Sequence, residues 1–181
     1  MFGGVALPLD SVPPALIAQH DLSIRVYNRC GVDELHFLAR EVSRLLPVLL
    51  NGVLRILTWG NRRGDSAKLP PPLWTSLNTI EVSGWGDARI EEAVIPATLA
   101  FDNGIWYTVS VGVRGLVVPD EKGVRRVYII CEPSSDAYAI MTKAKWMPCL
   151  VDQAITCRRG RDTLPARAIP GSRPRNTLPA R

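Results

Sequence analysis

Short runs of β-branched and aromatic residues, set between glycine and proline turn formers, recur along this chain and constrain its fold most. VLRILTWG (53–60) and VRRVYIIC (124–131) have the length and composition of half-buried strands. The segment from Ile105 to Val118 is equally rich in such residues, and two glycines interrupt it. It therefore predicts a hairpin or a bulged strand.

Two weaker patterns extend the expected sheet. DLSIRVYN (21–28) alternates apolar and polar residues, and MPCLV (147–151) is a short apolar run near the end of the ordered pattern. PDEKG (119–123) carries the residues of a tight turn. We expect two further strands and one turn at these positions.

Two segments favour helices. VDELHFLAREVSRLL (32–46) places apolar residues at helical intervals, has acids in its first turn and is closed by Pro47; the apolar residues are Leu35, Leu38, Val42 and Leu45. SSDAYAIMTKA (134–144) predicts a short helix capped by Ser134 or Ser135.

The two ends of the chain differ from its middle. Residues 1–20 contain Gly3-Gly4, Pro8 and Pro13-Pro14, so we expect an irregular arm before a single domain over 21–156. Residues 157–181 carry seven arginines against one acid and few large apolar side chains. Such a tail cannot offset its ordering entropy, and it is either a solvated tail or a loose phosphate-binding arm.

The net charge of +5 is concentrated in that tail, because residues 1–156 hold 15 basic and 16 acidic side chains. Any nucleic-acid contact made by the body must therefore use a local patch. The four cysteines lack CxxC spacing and the N-terminus lacks a basic signal region, so we expect free thiols and a cytoplasmic protein. No metal site, cofactor or membrane contact is expected.

Dinucleotide, Walker, HExxH and GxSxG motifs are absent from the sequence. An ordered series of weaker motifs is present instead. Trp59-Gly60 ends a strand, GDARIEE (86–92) precedes Ile95-Pro96-Ala97, and Met147-Pro148 follows the short helix. In this order and spacing, the segment from Val53 to Val151 resembles the SRAP family, the SOS-response-associated peptidases or abasic-site processing proteins.

The resemblance implies autopeptidase and DNA-crosslinking or lyase activity on abasic sites, without a cofactor. In the family, an N-terminal cysteine captures the ring-opened aldehyde: its amine forms an imine, and its thiol closes the thiazolidine. This chain has Phe2 at that position, Asp87 at the family's asparagine, Asp102 at its catalytic glutamate and Ala144 at its histidine. Cys131 and Glu132 stand at its two threonines.

With those replacements, the resemblance implies that covalent crosslinking is lost. If activity remains, Asp102 is the candidate acid or base, Asp87 orients it, and the nucleophile is an N-terminal group or Cys30. Cys30-Gly31 precedes the predicted helix much as the family's cysteine-glycine pair precedes its own.

The family's DNA groove implies binding roles for Arg89, Trp85 and Trp74, the tryptophans stacking on bases. Alternatives remain for each. Arg89 lies among Asp87, Glu91 and Glu92 and could serve only a local ion-pair network. Tryptophans more often anchor the core or loops, and we expect Trp59 and Trp106 to be structural.

We therefore expect an α+β fold with a mainly antiparallel, strongly bent, SRAP-like β-sheet and a few flanking helices. The expected function is binding of single-stranded or abasic DNA by a divergent, phage-related protein of the SOS DNA-damage response. The alternative is a non-enzymatic interaction protein that retains only the fold.

Overall fold

The computed structural model describes residues 2–62, 65–76, 79 and 89–152. Strands dominate this part of the chain, and the fold is α+β. The strands are β1 (Phe2–Pro8), β2 (Val26–Arg29), β3 (Val32–Leu38), β4 (Leu45–Leu50), β5 (Val53–Trp59), β6 (Trp74–Ser76), β7 (Glu91–Pro96), β8 (Leu99–Asp102), β9 (Ile105–Thr108), β10 (Gly112–Pro119), β11 (Arg125–Pro133) and β12 (Trp146–Pro148). The helices are α1 (Pro14–Gln19) and α2 (Asp136–Thr142), with short 3-10 turns at Leu9–Ser11 and Leu22–Arg25.

Five strands form an antiparallel sheet in the order β2-β3-β1-β8-β9. β1 is its central strand, with β3 on one side and β8 on the other. The remaining seven strands form a second sheet. Six of them follow the order β10-β7-β4-β5-β11-β12, and β6 pairs with β11 off this path. Since β10 also pairs with β11, five of these strands close into a barrel. β5 and β6 run parallel to β11, whereas the other pairings in this sheet are antiparallel.

One apolar core joins the barrel to the five-stranded sheet. Val5 and Phe37 from the sheet are fully buried in the same cluster as Trp59, Ile95 and Ile129 from the barrel. A smaller cluster on the other face of β10 and β11 contains Leu116, Tyr128 and Leu69. No helix in the described part of the chain is long and apolar enough to cross a bilayer.

The helix predicted over 32–46 is wrong: this segment contains β3, a bend and the start of β4. Leu35 and Phe37 face the core as alternate residues of a strand, and β1 and β2 satisfy the backbone of β3 on both edges. Val42, which the helical spacing assigned to the apolar face, is 82% exposed. The helical spacing of the leucines was coincidental, and sheet pairing overrides local helix propensity.

Three other predictions need correction. Residues 1–20 are not an irregular arm, because they contain β1, a 3-10 turn and α1. The segment from Ile105 to Val118 is neither a hairpin nor one strand: β9 pairs with β8, and β10 belongs to the barrel. Within residues 21–28, a 3-10 turn over Leu22–Arg25 comes first, and the strand begins only at Val26.

Several local predictions are confirmed. The strand over 53–60 is β5, and the strand over 124–131 is β11. The 119–123 turn joins β10 to β11, with the Asp120 carboxylate accepting the N–H groups of Lys122 and Val124. Ser135 caps α2 by accepting the N–H of Tyr138. Residues 147 and 148 belong to β12, whereas Cys149 to Val151 lie beyond it.

Candidate functional site

Phe2 and Asp102 are register partners at one end of the β1–β8 pair. Asp102 is the last residue of β8, and Asn103-Gly104 reverse the chain with φ values of 44° and 88°. An asparagine-glycine pair of this kind is the common two-residue hairpin turn. The sequence therefore fixes the carboxylate at the strand end, directly beside Phe2.

Asp102 is fully buried, and its carboxylate lies at the end of a chain formed by two tyrosine hydroxyl groups. The Tyr138 hydroxyl donates to its Oδ2 across 2.7 Å, and the Tyr107 hydroxyl lies 3.3 Å from that of Tyr138. Burial, together with the neighbouring acidic groups, raises the pKa of Tyr138 and of Tyr107 far above the usual range. Both tyrosines therefore remain protonated, and Tyr138 is a fixed donor to the carboxylate.

The end of α2 is tied to the same turn. Thr142 accepts a 3.0 Å hydrogen bond from the Asn103 side chain through its carbonyl oxygen. Lys143 ends the helix in a left-handed conformation at φ 59°. This geometry brings Lys143, Ala144 and Lys145 next to the β8–β9 turn.

A cavity of about 220 Å³ lies at this junction. Its wall combines two indoles with one phenyl ring, and its two lysines are exposed. The Trp74 and Trp146 ring centroids are 5.3 Å apart, and the rings are tilted by 35°. The lining residues are Phe2, Trp74, Asn103, Cys131, Lys143, Ala144, Lys145 and Trp146.

Cys131 is a buried thiol on the cavity wall. Burial raises its pKa well above the usual range, and the nearby Cys149, Asp102 and Glu132 act in the same direction. Cys131 is therefore a neutral thiol and a poor nucleophile. Cys30, Cys131 and Cys149 are all free, as the sequence predicted for these positions.

The structure does not bring Cys30 to Asp102. Cys30 and Gly31, with φ values of 52° and 85°, form the exposed turn between β2 and β3. This turn lies beyond the Pro8 end of β1, whereas Asp102 pairs at the Phe2 end. The six residue steps of β1 separate the two ends by about 20 Å.

Arg89 also lies away from the cavity. It is exposed and comes just before β7, whose Glu91 pairs with Val117 of β10. The cavity is at the level of Cys131, four residues away along the barrel strands, or about 13 Å. Two of the acids that were candidates to pair with Arg89 have other partners: Glu91 pairs with Arg125 and Glu92 with Arg114.

The remaining predicted residues divide into two groups. Trp85, Asp87 and the tail over 157–181 lie outside the described residues. Trp59 is structural as expected, since it is 1% exposed and its Nε1 donates to the Leu73 carbonyl. Trp106 packs between His36 and Phe101 on the outer face of the five-stranded sheet.

Sequence reasoning missed the lysines, Trp146, Asn103 and the two tyrosines of the site. One signal was available for the two lysines and Trp146. Lys143, Lys145 and Trp146 interleave positive charge with an aromatic ring immediately after a short capped helix. Tyr107 and Tyr138 are 31 residues apart, and only the fold brings them together.

The described residues contain no group of three or more histidine, cysteine, aspartate or glutamate side chains arranged as metal ligands. Comparison with protein-family models, curated proteins and solved structures finds no match for this chain. The site therefore has to be interpreted from its own chemistry. It is a small aromatic cavity with a cationic mouth, beside a buried carboxylate.

Proposed function

We propose that this protein binds single-stranded or abasic DNA at the cavity, on a strongly bent SRAP-like sheet, without forming a covalent crosslink. One observation carries the proposal. By sequence order alone, Phe2, Asp102 and Ala144 stand at reactive positions of the family and Cys131 at one of its threonines, and these four residues lie together. Their proximity supports the proposal, whereas Arg89, which the resemblance also implied, lies away from the cavity.

The charges at the cavity support an anionic ligand. Lys143 and Lys145 are exposed and form no ion pair within the described part of the chain. Trp74 and Trp146 provide aromatic surface in the same cavity. Cationic and aromatic side chains together are the usual components of single-strand binding sites.

The loss of crosslinking follows from the side chains. Phe2 has no thiol with which to close a thiazolidine, and Ala144 cannot transfer a proton. Cys131 is held as a neutral thiol, and Cys30 is remote. Binding on this proposal is therefore reversible and depends on salt.

The test is an electrophoretic mobility shift with single-stranded oligonucleotides, with and without an abasic site. We expect retention at low salt, release at high salt and no adduct that survives heat and detergent. A resistant adduct would contradict the non-covalent part of the proposal. Absence of retention at low salt would contradict DNA binding itself.

A second candidate is a non-enzymatic interaction protein that retains only the fold. It is favoured by the pairing of arginines with acids, which leaves them less available for phosphate: Arg25–Glu41, Arg29–Glu34, Arg114–Glu92, Arg125–Glu91 and Arg126–Asp120. The same mobility shift distinguishes the two candidates, since the second predicts no retention.

A further inference from the structure

We infer that the cavity accommodates one unstacked nucleobase of a bound strand, so that a strand with bases binds more tightly than a base-free deoxyribose-phosphate strand. This inference rests on the proposed function and specifies its ligand. It concerns four uncharged residues of the cavity wall: Phe2, Trp74, Trp146 and Cys131 with its neutral thiol.

The size of the cavity suits a single heterocycle. Its volume of about 220 Å³ is below the ~300–1,000 Å³ of pockets that hold drug-sized molecules. One flat ring system with its exocyclic groups is a ligand of that scale.

The wall is aromatic and uncharged. Trp74 and Trp146 lie 5.3 Å apart, and Phe2 is held by an edge-to-face contact with Trp59 at 6.1 Å. Trp74 is positioned by the parallel pairing of β6 with β11. Trp146 is positioned by the antiparallel pairing of β12 with the same strand, β11. Both indoles are thus carried by the sheet, which favours a defined stacking site.

The cations stand at the edge of this wall. Lys143 and Lys145 flank Ala144, are exposed, and can contact the phosphates on either side of an inserted base. A base-free strand would keep those phosphate contacts but leave the indole surfaces of Trp74 and Trp146 facing water. The difference in affinity between the two nucleic-acid strands therefore separates the contribution of stacking from that of charge.

The experiment measures fluorescence anisotropy with labelled oligothymidylate and with a base-free tetrahydrofuran-phosphate oligomer of the same length and charge. We expect oligothymidylate to bind about 10-fold or more tightly. Trp146→Ala should abolish most of that preference while retaining salt-sensitive binding. Trp106→Ala, which removes an indole from the other sheet, is the matched control and should keep the preference.

The outcomes separate the inference from the proposed function. Equal affinity of the two strands for the unaltered protein overturns the inference and leaves DNA binding in place. A preference that persists in Trp146→Ala also overturns it, because stacking would then occur elsewhere. Binding of neither strand overturns both. Quenching of intrinsic tryptophan fluorescence by oligothymidylate, absent with the base-free oligomer, supports the inference without any substitution.

Discussion

The Tyr138 hydroxyl lies 2.7 Å from Oδ2 of Asp102, and both residues are fully buried. This hydrogen bond connects α2 to the end of β8. It therefore holds the helix, and the lysines that follow it, against the strand beside Phe2.

Tyr138→Phe should lower the free energy of unfolding by about 1.5–3 kcal/mol, because it removes a donor from a buried carboxylate. Urea denaturation followed by circular dichroism measures the loss. Tyr107→Phe is the matched control and should cost less, since Asp102 keeps its bond to Tyr138. Equal losses of unfolding free energy in the two variants would show that the hydrogen bond to Asp102 contributes no more than the contact between the two tyrosine hydroxyl groups.

Leu35→Ala should cost about 2–5 kcal/mol of unfolding free energy, whereas Val42→Ala should change it by less than about 0.5 kcal/mol. Leu35 is fully buried in β3, and Val42 is 82% exposed. A helix over 32–46 would have placed both residues on one buried face. Similar costs in urea denaturation would therefore favour the helix over the observed strand.

The Asp120 carboxyl should contribute to the loss of stability in acid. Burial raises its pKa, but the N–H groups of Val124 and Lys122 and the Arg126 guanidinium outweigh burial, so the net pKa is lowered. The stabilisation is therefore complete above about pH 4 and disappears as the pH falls through the lowered pKa.

Asp120→Asn should destabilise the protein near neutral pH by about 3 kcal/mol, the low end for a buried ion pair, since Arg126 retains Asp65. The difference in unfolding free energy between this variant and the unaltered protein should become smaller below about pH 4. Asp65→Asn, at the 39%-exposed partner, is the control and should cost under about 1 kcal/mol. A gap that is constant from neutral pH into acid would contradict the assignment.

Cys30 should be alkylated in the native protein much faster than Cys131 or Cys149. Cys30 is exposed, whereas burial raises the pKa of Cys149 to about 11 and that of Cys131 further. Iodoacetamide labelling followed by peptide mass spectrometry measures each rate. Rapid labelling of Cys131 in the folded protein would contradict its neutral, buried state.

Replacing both Lys143 and Lys145 with alanine should reduce the slope of log affinity against log salt by about 1.4, since each phosphate contact on a single strand contributes about 0.7. Anisotropy titrations at several salt concentrations measure the slope. Lys122→Ala, at the exposed turn between β10 and β11, is the control and should leave it unchanged. An unaltered slope in the double variant would place the phosphate contacts elsewhere.

Local signals predicted several elements well because they depend on neighbours in sequence. Ser135 caps α2 through the residue three positions later, and the 119–123 turn closes on Asp120. β3 could not be predicted this way, since its pairing with β1 and β2 outweighs a helix-like pattern. Gly3-Gly4 looked irregular for a related reason: a Cβ on Gly4 would meet the Phe37 carbonyl at 2.6 Å, so the glycine permits close packing within the sheet.

The candidate site was predicted only where motif order could reach it. Asp102 and Trp74 were named, but Trp146 reaches the cavity as the first residue of β12, a three-residue strand that pairs with β11, and Lys145 lies just before that strand. A binding role for Arg89 was implied by the family resemblance, but this residue precedes β7 and lies at another level of the barrel. Position along the strands therefore separates residues that the sequence pattern had grouped.

The central place of β1 has a consequence for biosynthesis. Its partner β3 is nearby in the chain, but β8 begins more than ninety residues after β1 ends. On the ribosome, one edge of β1 therefore stays uncovered until most of the barrel has been made. Mutations that weaken the β1–β3 hydrogen bonds should for this reason reduce the yield of correctly assembled chains more than they reduce the stability of molecules already folded.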